Sequence, residues 1–117
     1  MRPAALIFSL SLLLPVAASA STRSGVYGTV MRGPIMPACV AEQPCYEPAA
    51  GAVLTFARNG TDVARVRVRE DGSYRIALPA GFYSVRAPSR RPIDPSTVRV
   101  RAGRFRQVDF SIDTGIR

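Results

Sequence analysis

The feature that most constrains the fold is an alternation of apolar and polar residues with a period of two. From Gly25 onward, apolar side chains recur at every second position in short runs, as where Val98 and Val100 flank Arg99. A period of two is that of β-strands with one buried face. No segment shows the 3.6-residue period of an amphipathic helix, so the pattern predicts an all-β domain.

Turn residues divide this part of the chain into seven predicted strands. Asn59-Gly60 and Asp71-Gly72 are typical of two-residue hairpins, and Pro79-Ala80-Gly81 and Ala102-Gly103 mark two further turns. Seven strands with one apolar face each bury those faces as two packed sheets, which predicts a seven-stranded antiparallel β-sandwich. The predicted strands are 25–31, 52–57, 61–69, one with Tyr74, Ile76 and Leu78 inward, one with Tyr83 and Val85 inward, 97–101 and 104–112.

One residue of the last predicted strand is out of phase with the others. Val108, Phe110 and Ile112 fit the inward face, whereas Phe105 does not. A β-bulge near Arg106 would restore the alternation, and we expect one there.

Two proline-containing segments, 33–50 and 87–96, interrupt the strand pattern. Proline lacks the backbone donor that a central strand needs, so both segments are predicted to be loops. The first contains both cysteines, Cys39 and Cys45, which predict a structural disulfide. A zinc pair is a weaker interpretation because two thiolates and no His fall short of four ligands, and a redox pair is weaker because the spacing is not Cys-x-x-Cys.

The first twenty residues have the pattern of a secretory signal peptide. Arg2 is followed by an uncharged apolar run from residue 4 to residue 16 and by Ala18-Ser19-Ala20, a small-residue cleavage signal. The run is shorter than the roughly 20 residues that span a bilayer. We therefore expect residues 1–20 to be removed and residues 21–117 to form a single secreted or periplasmic domain without a membrane span.

The composition excludes several enzyme classes. The chain has no His, and its sixteen basic residues are all Arg. Ser-His-Asp and Cys-His catalysis and lysine Schiff-base chemistry are therefore impossible. The acids Glu70, Asp71 and Asp109 fall on predicted turns or outward strand positions, with no sign of a paired carboxylate site. We expect a monomeric protein that is not an enzyme and holds no cofactor or metal.

Arginines on outward strand positions are the main sign of a binding function. Outward positions are held by Arg65, Arg67 and Arg69 on one strand and by Arg99 and Arg101 on another. A row of guanidinium groups suits phosphate or carboxylate polymers, although a solvated outer face that merely reflects coding bias gives the same pattern. Nucleic acid is not expected as the partner, because an exported protein meets anionic envelope polymers instead. Nucleic-acid sites also favour aromatic platforms between basic residues, and the sequence does not place the available rings, Tyr27 and Phe82, near the row. Arg104 and Arg106 extend the row further if the last predicted strand lies in the same sheet.

The segments 71–76 and 78–85 carry a familiar pattern. An Asp-Gly turn, an aromatic residue, alternating apolar residues and then Pro79-Ala80-Gly81-Phe82-Tyr83 resemble the carboxypeptidase regulatory-like family. The resemblance covers residue 25 to about residue 112 and implies a transthyretin-like Greek key. On physical grounds the Tyr after the turn is expected to bury its ring and to reach a backbone partner with its hydroxyl.

The same resemblance bears on function. It implies a non-catalytic exported module with a binding or structural role at the cell envelope, through the arginine face to an anionic polymer or a protein. The alternative is a carbohydrate-binding module of the starch-binding-like type, although the absence of Trp counts against it. The long segment 33–50 with its two cysteines departs from the commonest members of the family.

Overall fold

A computed structural model describes residues 23–117 as an all-β fold of two sheets. The predicted signal peptide, residues 1–20, lies outside the described residues. None of the described residues belongs to a helix long and apolar enough to cross a membrane. The strands are β1 (Gly25–Gly33), β2 (Glu47–Pro48), β3 (Val53–Arg58), β4 (Thr61–Arg67), β5 (Ser73–Ala77), β6 (Gly81–Arg86), β7 (Ile93–Asp94), β8 (Thr97–Val100), β9 (Phe105–Gln107) and β10 (Phe110–Asp113).

The first sheet is built around β1 and the second around β3 and β6. The first half of β1 lies between β5 and β9, and its second half belongs to the order β2-β1-β10-β7. The second sheet has the order β4-β3-β6-β8 and is antiparallel throughout. The expectation of an entirely antiparallel fold is wrong, because β9 and β10 run parallel to β1. The chain crosses from the second sheet before β9 and returns alongside β1 in the same direction.

The core lies between the two sheets. Phe56 of the second sheet meets Phe110 of the first edge to face, with ring centroids 6.3 Å apart. Tyr74 packs on the other side of Phe110 at 5.6 Å. The predicted inward positions of the second sheet that are buried are Leu54, Phe56, Val68, Tyr83, Val85, Val98 and Val100. Burial of such side chains stabilises the fold by about 1.5–3 kcal/mol each, which explains why the period-two pattern determines the layers.

The last predicted strand is divided at Val108 and Asp109 rather than bulged at Arg106. The register with β1 is the same on both sides of the division, so the alternation needs no correction. Phe105 lies on the outer face, where the guanidinium of Arg75 stacks 3.8 Å from its ring centroid. The expected bulge is therefore wrong, because a cation–π contact accommodates the aromatic ring outside the core.

Asp109 bridges the gap that this division leaves. Its carboxylate accepts a hydrogen bond from the backbone N–H of Thr29 at 2.9 Å. A Cβ atom at Gly28 would collide with the carbonyl oxygen of Val108, so glycine permits the close approach of the two chains. The hydroxyl of Tyr74 donates to the same carbonyl at 2.5 Å. Burial, with a smaller contribution from the Asp109 charge, raises the pKa of Tyr74.

The Asn-Gly turn and the Asp-Gly turn have different roles. Asn59-Gly60 joins β3 to β4 as predicted, with positive φ angles of 49° and 81°. Asp71-Gly72 does not form the predicted hairpin, because β4 and β5 belong to different sheets. It makes a corner in which the Asp71 carboxylate accepts hydrogen bonds from Ser73, and these bonds lower its pKa. The Tyr83 hydroxyl donates to the carbonyl of Pro79 at 2.5 Å, which confirms the expected backbone partner.

Candidate functional site

The arginines predicted on one strand, Arg65, Arg67 and Arg69, form the first arginine group. Arg65 and Arg67 lie on the outer face of the second sheet, opposite Thr55 and Val53 of β3. Arg69 lies just beyond the end of β4. All three residues are exposed, as expected from their outward positions in the sequence pattern.

One carboxylate, that of Asp62, serves this edge of the sheet. It accepts a hydrogen bond from each of the two Nη groups of Arg86, both at 3.1 Å, and lies 3.7 Å from the Nη2 atom of Arg65. The hydrogen bond from Arg86, with the charges of Arg86 and Arg65, lowers the pKa of Asp62. Asp62 therefore remains ionised at neutral pH and offsets part of the positive charge of Arg65 and Arg86 at this edge.

The other two members of the first arginine group also have partners within the chain. Arg67 donates from Nη1 to the carbonyl of Gly51 at 3.2 Å. Arg69 donates to the hydroxyl of Ser73 at 2.8 Å, next to the Asp71 carboxylate. All three arginines are exposed, but each guanidinium already makes at least one internal polar contact.

A second group of arginines surrounds Phe82 at the opposite edge of the same sheet. Phe82 of β6 is paired with Arg99 of β8, and its side chain is 69% exposed. The guanidinium carbon of Arg99 lies 5.2 Å from the ring centroid. The ring orients the guanidinium by a cation–π contact and does not neutralise it.

Three more arginines extend this site across the turn between the sheets. Arg101 and Arg104 flank that turn and, with Phe82 and Arg99, line an open hollow of about 490 Å³. Arg106 of β9 lines an adjoining hollow of about 310 Å³ with Phe82 and Arg99. It donates to the carbonyl oxygen of Arg99 at 3.2 Å and so connects the two sheets. We call Phe82, Arg99, Arg101, Arg104 and Arg106 the Phe82–arginine patch.

The patch differs from the first arginine group in its electrostatics. In the first group Arg65 is ion-paired with Asp62, while Arg67 and Arg69 contact neutral partners. Within residues 23–117, no ion pair joins any of the four arginines of the patch to an acidic side chain. Arg65 and Arg67 lie on β4 and Arg99 lies on β8, the two edge strands of the second sheet, so these arginines are separated by β3 and β6, a distance of about 14 Å at the usual strand spacing. The predicted row of arginines is therefore two separate sites. Phe82, which the sequence alone does not place near the arginines, lies at the centre of one of them.

The predicted cysteine pair is present as a disulfide. Cys39 and Cys45 are bonded, with Cα atoms 5.5 Å apart, and close a small loop within segment 33–50. The prediction that the whole segment is a loop is wrong in one place, because Glu47 and Pro48 form the short strand β2 against β1. Within the described part of the chain, no group of three or more Cys, Asp or Glu residues is placed to hold a metal ion.

Comparisons with known proteins add little to this geometry. No family model matches the chain, and no curated protein matches it. Among solved structures, the chain is similar to a leucine-rich repeat protein from Bacteroides thetaiotaomicron, determined at 2.80 Å resolution. The likeness covers 80% of this chain and 12% of that chain, with 16% sequence identity and a TM-score of 0.48. At that TM-score it supports no argument about fold or function.

Proposed function

We propose that this protein is a non-catalytic module of the cell envelope that binds an anionic polymer through the Phe82–arginine patch. The observation that carries the proposal is the arrangement of Arg99 on an exposed Phe82 ring, beside three further arginines without acidic partners among the described residues. Guanidinium groups bind phosphate and carboxylate in a bidentate manner. A cluster of four therefore suits a ligand with repeated anionic groups.

The location at the envelope rests on the N-terminal pattern and the disulfide. A signal peptide over residues 1–20 would deliver the chain to an oxidising compartment, in which the Cys39–Cys45 bond is stable. The anionic polymers met there are lipopolysaccharide, teichoic acid and acidic polysaccharide. The full chain has a formal net charge of +8, or +7 without Arg2 of the predicted signal peptide, and this charge favours their approach.

The resemblance to the carboxypeptidase regulatory-like family remains part of the proposal. Its support is that the residues of the pattern have structural roles, since Asp71-Gly72 forms a corner and Tyr83 is buried with its hydroxyl bonded to Pro79. We propose a variant of the transthyretin-like Greek key in which the final strands run parallel to β1. Domains of that family act as accessory or binding modules, in agreement with the proposed role.

The carbohydrate-binding alternative gains no support from the exposed aromatic rings. Such a site needs two or more coplanar rings in one groove. Tyr27 lies on the outer face of the first sheet, Phe82 on the outer face of the second, and Tyr46 in segment 33–50. Among residues 23–117 the ring–ring contacts lie in the core, between Phe110 and its neighbours Phe56 and Tyr74, and no two of the exposed rings contact each other.

The test is co-sedimentation of the purified protein with isolated cell envelopes over a series of salt concentrations. One triple variant, Arg99→Gln, Arg101→Gln and Arg104→Gln, removes three charges from the patch. The matched control, Arg65→Gln, Arg67→Gln and Arg69→Gln, removes three charges from the first arginine group. We expect the patch variant to lose affinity by about tenfold or more and the control by about twofold or less.

The salt dependence of binding and the comparison of the two triple variants distinguish the outcomes of this experiment. Wild-type binding is expected to weaken as salt rises, because the contacts are made by exposed charges. Equal losses in the two triple variants would mean that net charge alone attracts the protein. Binding that resists salt, or no binding by the wild type, would also contradict the proposal.

A further inference from the structure

A cavity of about 620 Å³, open to solvent on one side, lies at the end of the molecule where β1 and β10 finish, away from the Phe82–arginine patch. Three segments surround it: the cysteine-containing segment 33–50, the turn Pro88–Arg91 and the tail after β10. Its size falls within the range of small-molecule sites, roughly 300–1,000 Å³. The function proposed above makes no use of it.

The floor of the cavity is apolar. Ile112 and Ala49 are buried members of the core, with exposures of 5% and 0%. Ala52 and Ile35 are half-buried, and Ile116 of the tail closes one side. The two alanines leave the space open where larger side chains would fill it. A floor of this kind favours the burial of a hydrocarbon chain or ring.

The rim carries one cation without an acidic partner. Arg32 and Glu47 also line the rim, but they pair with each other at 2.7 Å. Arg91 donates from Nε to the backbone carbonyl of Asp113 at 3.0 Å, its Nη groups lie beside Gly115, and it forms no ion pair within residues 23–117. The nearby Asp113 carboxylate pairs with Arg117 at 3.3 Å, and its pKa is lowered by that hydrogen bond and, less strongly, by the charge of Arg91. The rim therefore offers a single positioned guanidinium edge, which suits one carboxylate.

Hydrogen bonds hold the two loop walls in place. Thr114 of the tail donates from its backbone N–H to the carbonyl of Gly33 at 3.0 Å and from its hydroxyl to that of Pro34 at 2.6 Å. The N–H of Ile35 donates to the carbonyl of Cys45 at 2.8 Å, next to the disulfide. The cavity is thus formed before any ligand enters, which reduces the entropy lost on binding.

The third wall has an unusual backbone. Ser89 and Arg90 are consecutive non-glycine residues with φ angles of 58° and 56°, in the left-handed region. Such residues are uncommon, and strained backbone of this kind is concentrated at ligand sites. The turn places Arg91 between the cavity rim and a neighbouring hollow, whereas Arg90 lines only that neighbouring hollow.

From these features we propose that the cavity binds a small carboxylate with an apolar body, such as a medium-chain fatty acid. Its carboxylate contacts the Nη groups of Arg91, and its hydrocarbon chain lies on the floor formed by Ile35, Ala52 and Ile112. Arg32 is paired with Glu47, and the nearby Asp113 is paired with Arg117, which leaves Arg91 as the cation available to a ligand, so a cationic or uncharged ligand of the same length gains less.

The experiment titrates the ¹⁵N-labelled protein with decanoate and records chemical shifts. Decan-1-ol and decyltrimethylammonium are titrated in parallel, because they carry the same chain without the carboxylate. We expect saturable shifts with decanoate, centred on Ala49, Ala52 and Thr114, and at least tenfold weaker binding of the other two probes. Comparable affinity for all three probes, or shifts centred on Phe82, would overturn the assignment.

Two variants and one control test the proposed contacts. Arg91→Gln should weaken decanoate binding by about tenfold, because the carboxylate loses a charge-assisted contact. Ala52→Leu should abolish binding by filling the floor, while the control Arg90→Gln, on the same turn, should bind like the wild type. Far-UV circular dichroism verifies that each variant is folded. Wild-type affinity in Arg91→Gln, or no saturable binding of decanoate by the wild type, would refute the proposal.

Discussion

The first arginine group and the Phe82–arginine patch lie at opposite edges of one sheet and differ in what surrounds them. Both begin from the same sequence pattern, arginines alternating with valines along an edge strand. In the first group, Asp62 forms ion pairs with Arg65 of β4 and with Arg86 of β6. Around the patch, Arg99 meets an aromatic ring and no acid among the described residues.

This difference shows that outward phase and charge do not by themselves identify a binding face. The guanidinium groups near Asp62 already have an anionic partner, and an incoming polymer must compete with it. Such surface ion pairs are weak, so the first group keeps some attraction for polyanions. Among the described residues, no acidic side chain competes in this way at the patch. Arg99 is also ordered by its contact with Phe82, and Arg106 by its hydrogen bond to the backbone of β8.

The largest expected effect comes from removing the support of the patch. Asp109→Ala deletes the acceptor of the Thr29 N–H and loosens the junction between β9, which carries Arg106, and β1. We expect a loss of about 1 kcal/mol in the free energy of unfolding. Urea denaturation measures it. Asp109→Asn retains an acceptor oxygen and should lose less; equal losses in the two variants would contradict this role.

A smaller effect is expected from removing the ring of the patch. Phe82→Ala leaves every charge in place but deletes the platform that orients Arg99. An exposed cation–π contact contributes about 0.5–1 kcal/mol, so polyphosphate affinity should fall by about two- to fivefold. Phe82→Tyr keeps the platform and should bind like the wild type. If Phe82→Ala also binds like the wild type, the ring has no part in recognition.

The smallest effect should appear at the first arginine group. Asp62→Asn frees Arg65 and Arg86 from their ion pair. We expect about a twofold gain in polyphosphate affinity, the size typical of a weak surface pair. The same substitution in the variant that lacks Arg99, Arg101 and Arg104 should give a similar gain. A loss of affinity in Asp62→Asn would show that the carboxylate positions these arginines for binding.

The pH dependence of this edge follows from the lowered pKa of Asp62. A carboxylate whose pKa is lower in the folded state stabilises the fold above its ordinary value of 3.8, and that contribution is lost as the pH falls through the lowered value. Asp62 stays ionised across pH 5–8, so the contrast between the two groups should be constant there. A polyphosphate titration at the two ends of this pH range checks that the difference between the two groups is unchanged.

Local patterns predict the strands well because they depend on neighbouring residues. The alternation around Leu54 and Phe56 and the Asn59-Gly60 turn specify a hairpin by local chemistry, and the structure confirms it. The division at Asp109 was missed because its partner, Thr29, is eighty residues away in sequence. The parallel pairing of β9 and β10 with β1 is likewise a long-range choice that no short motif encodes.

The candidate sites were predicted only in part for the same reason. Strand phase places Arg65 and Arg99 on the outer face correctly. It does not reveal that Asp62 reaches Arg86, since that contact requires β3 to lie between β4 and β6. The pairing of Phe82 with Arg99 also depends on strand order. The cavity beside Arg91 is formed by three loops that only the fold brings together.

The most direct test of the account is to map where a defined polyanion binds. Inorganic polyphosphate is titrated into the ¹⁵N-labelled protein at low salt, and backbone shifts are followed on both edges of the second sheet. We predict the largest shifts at residues 81–82 and 99–106, with small shifts at residues 62–69. Equal shifts on the two edges, or the largest shifts at residues 62–69, would contradict the claim that the two arginine groups differ in availability.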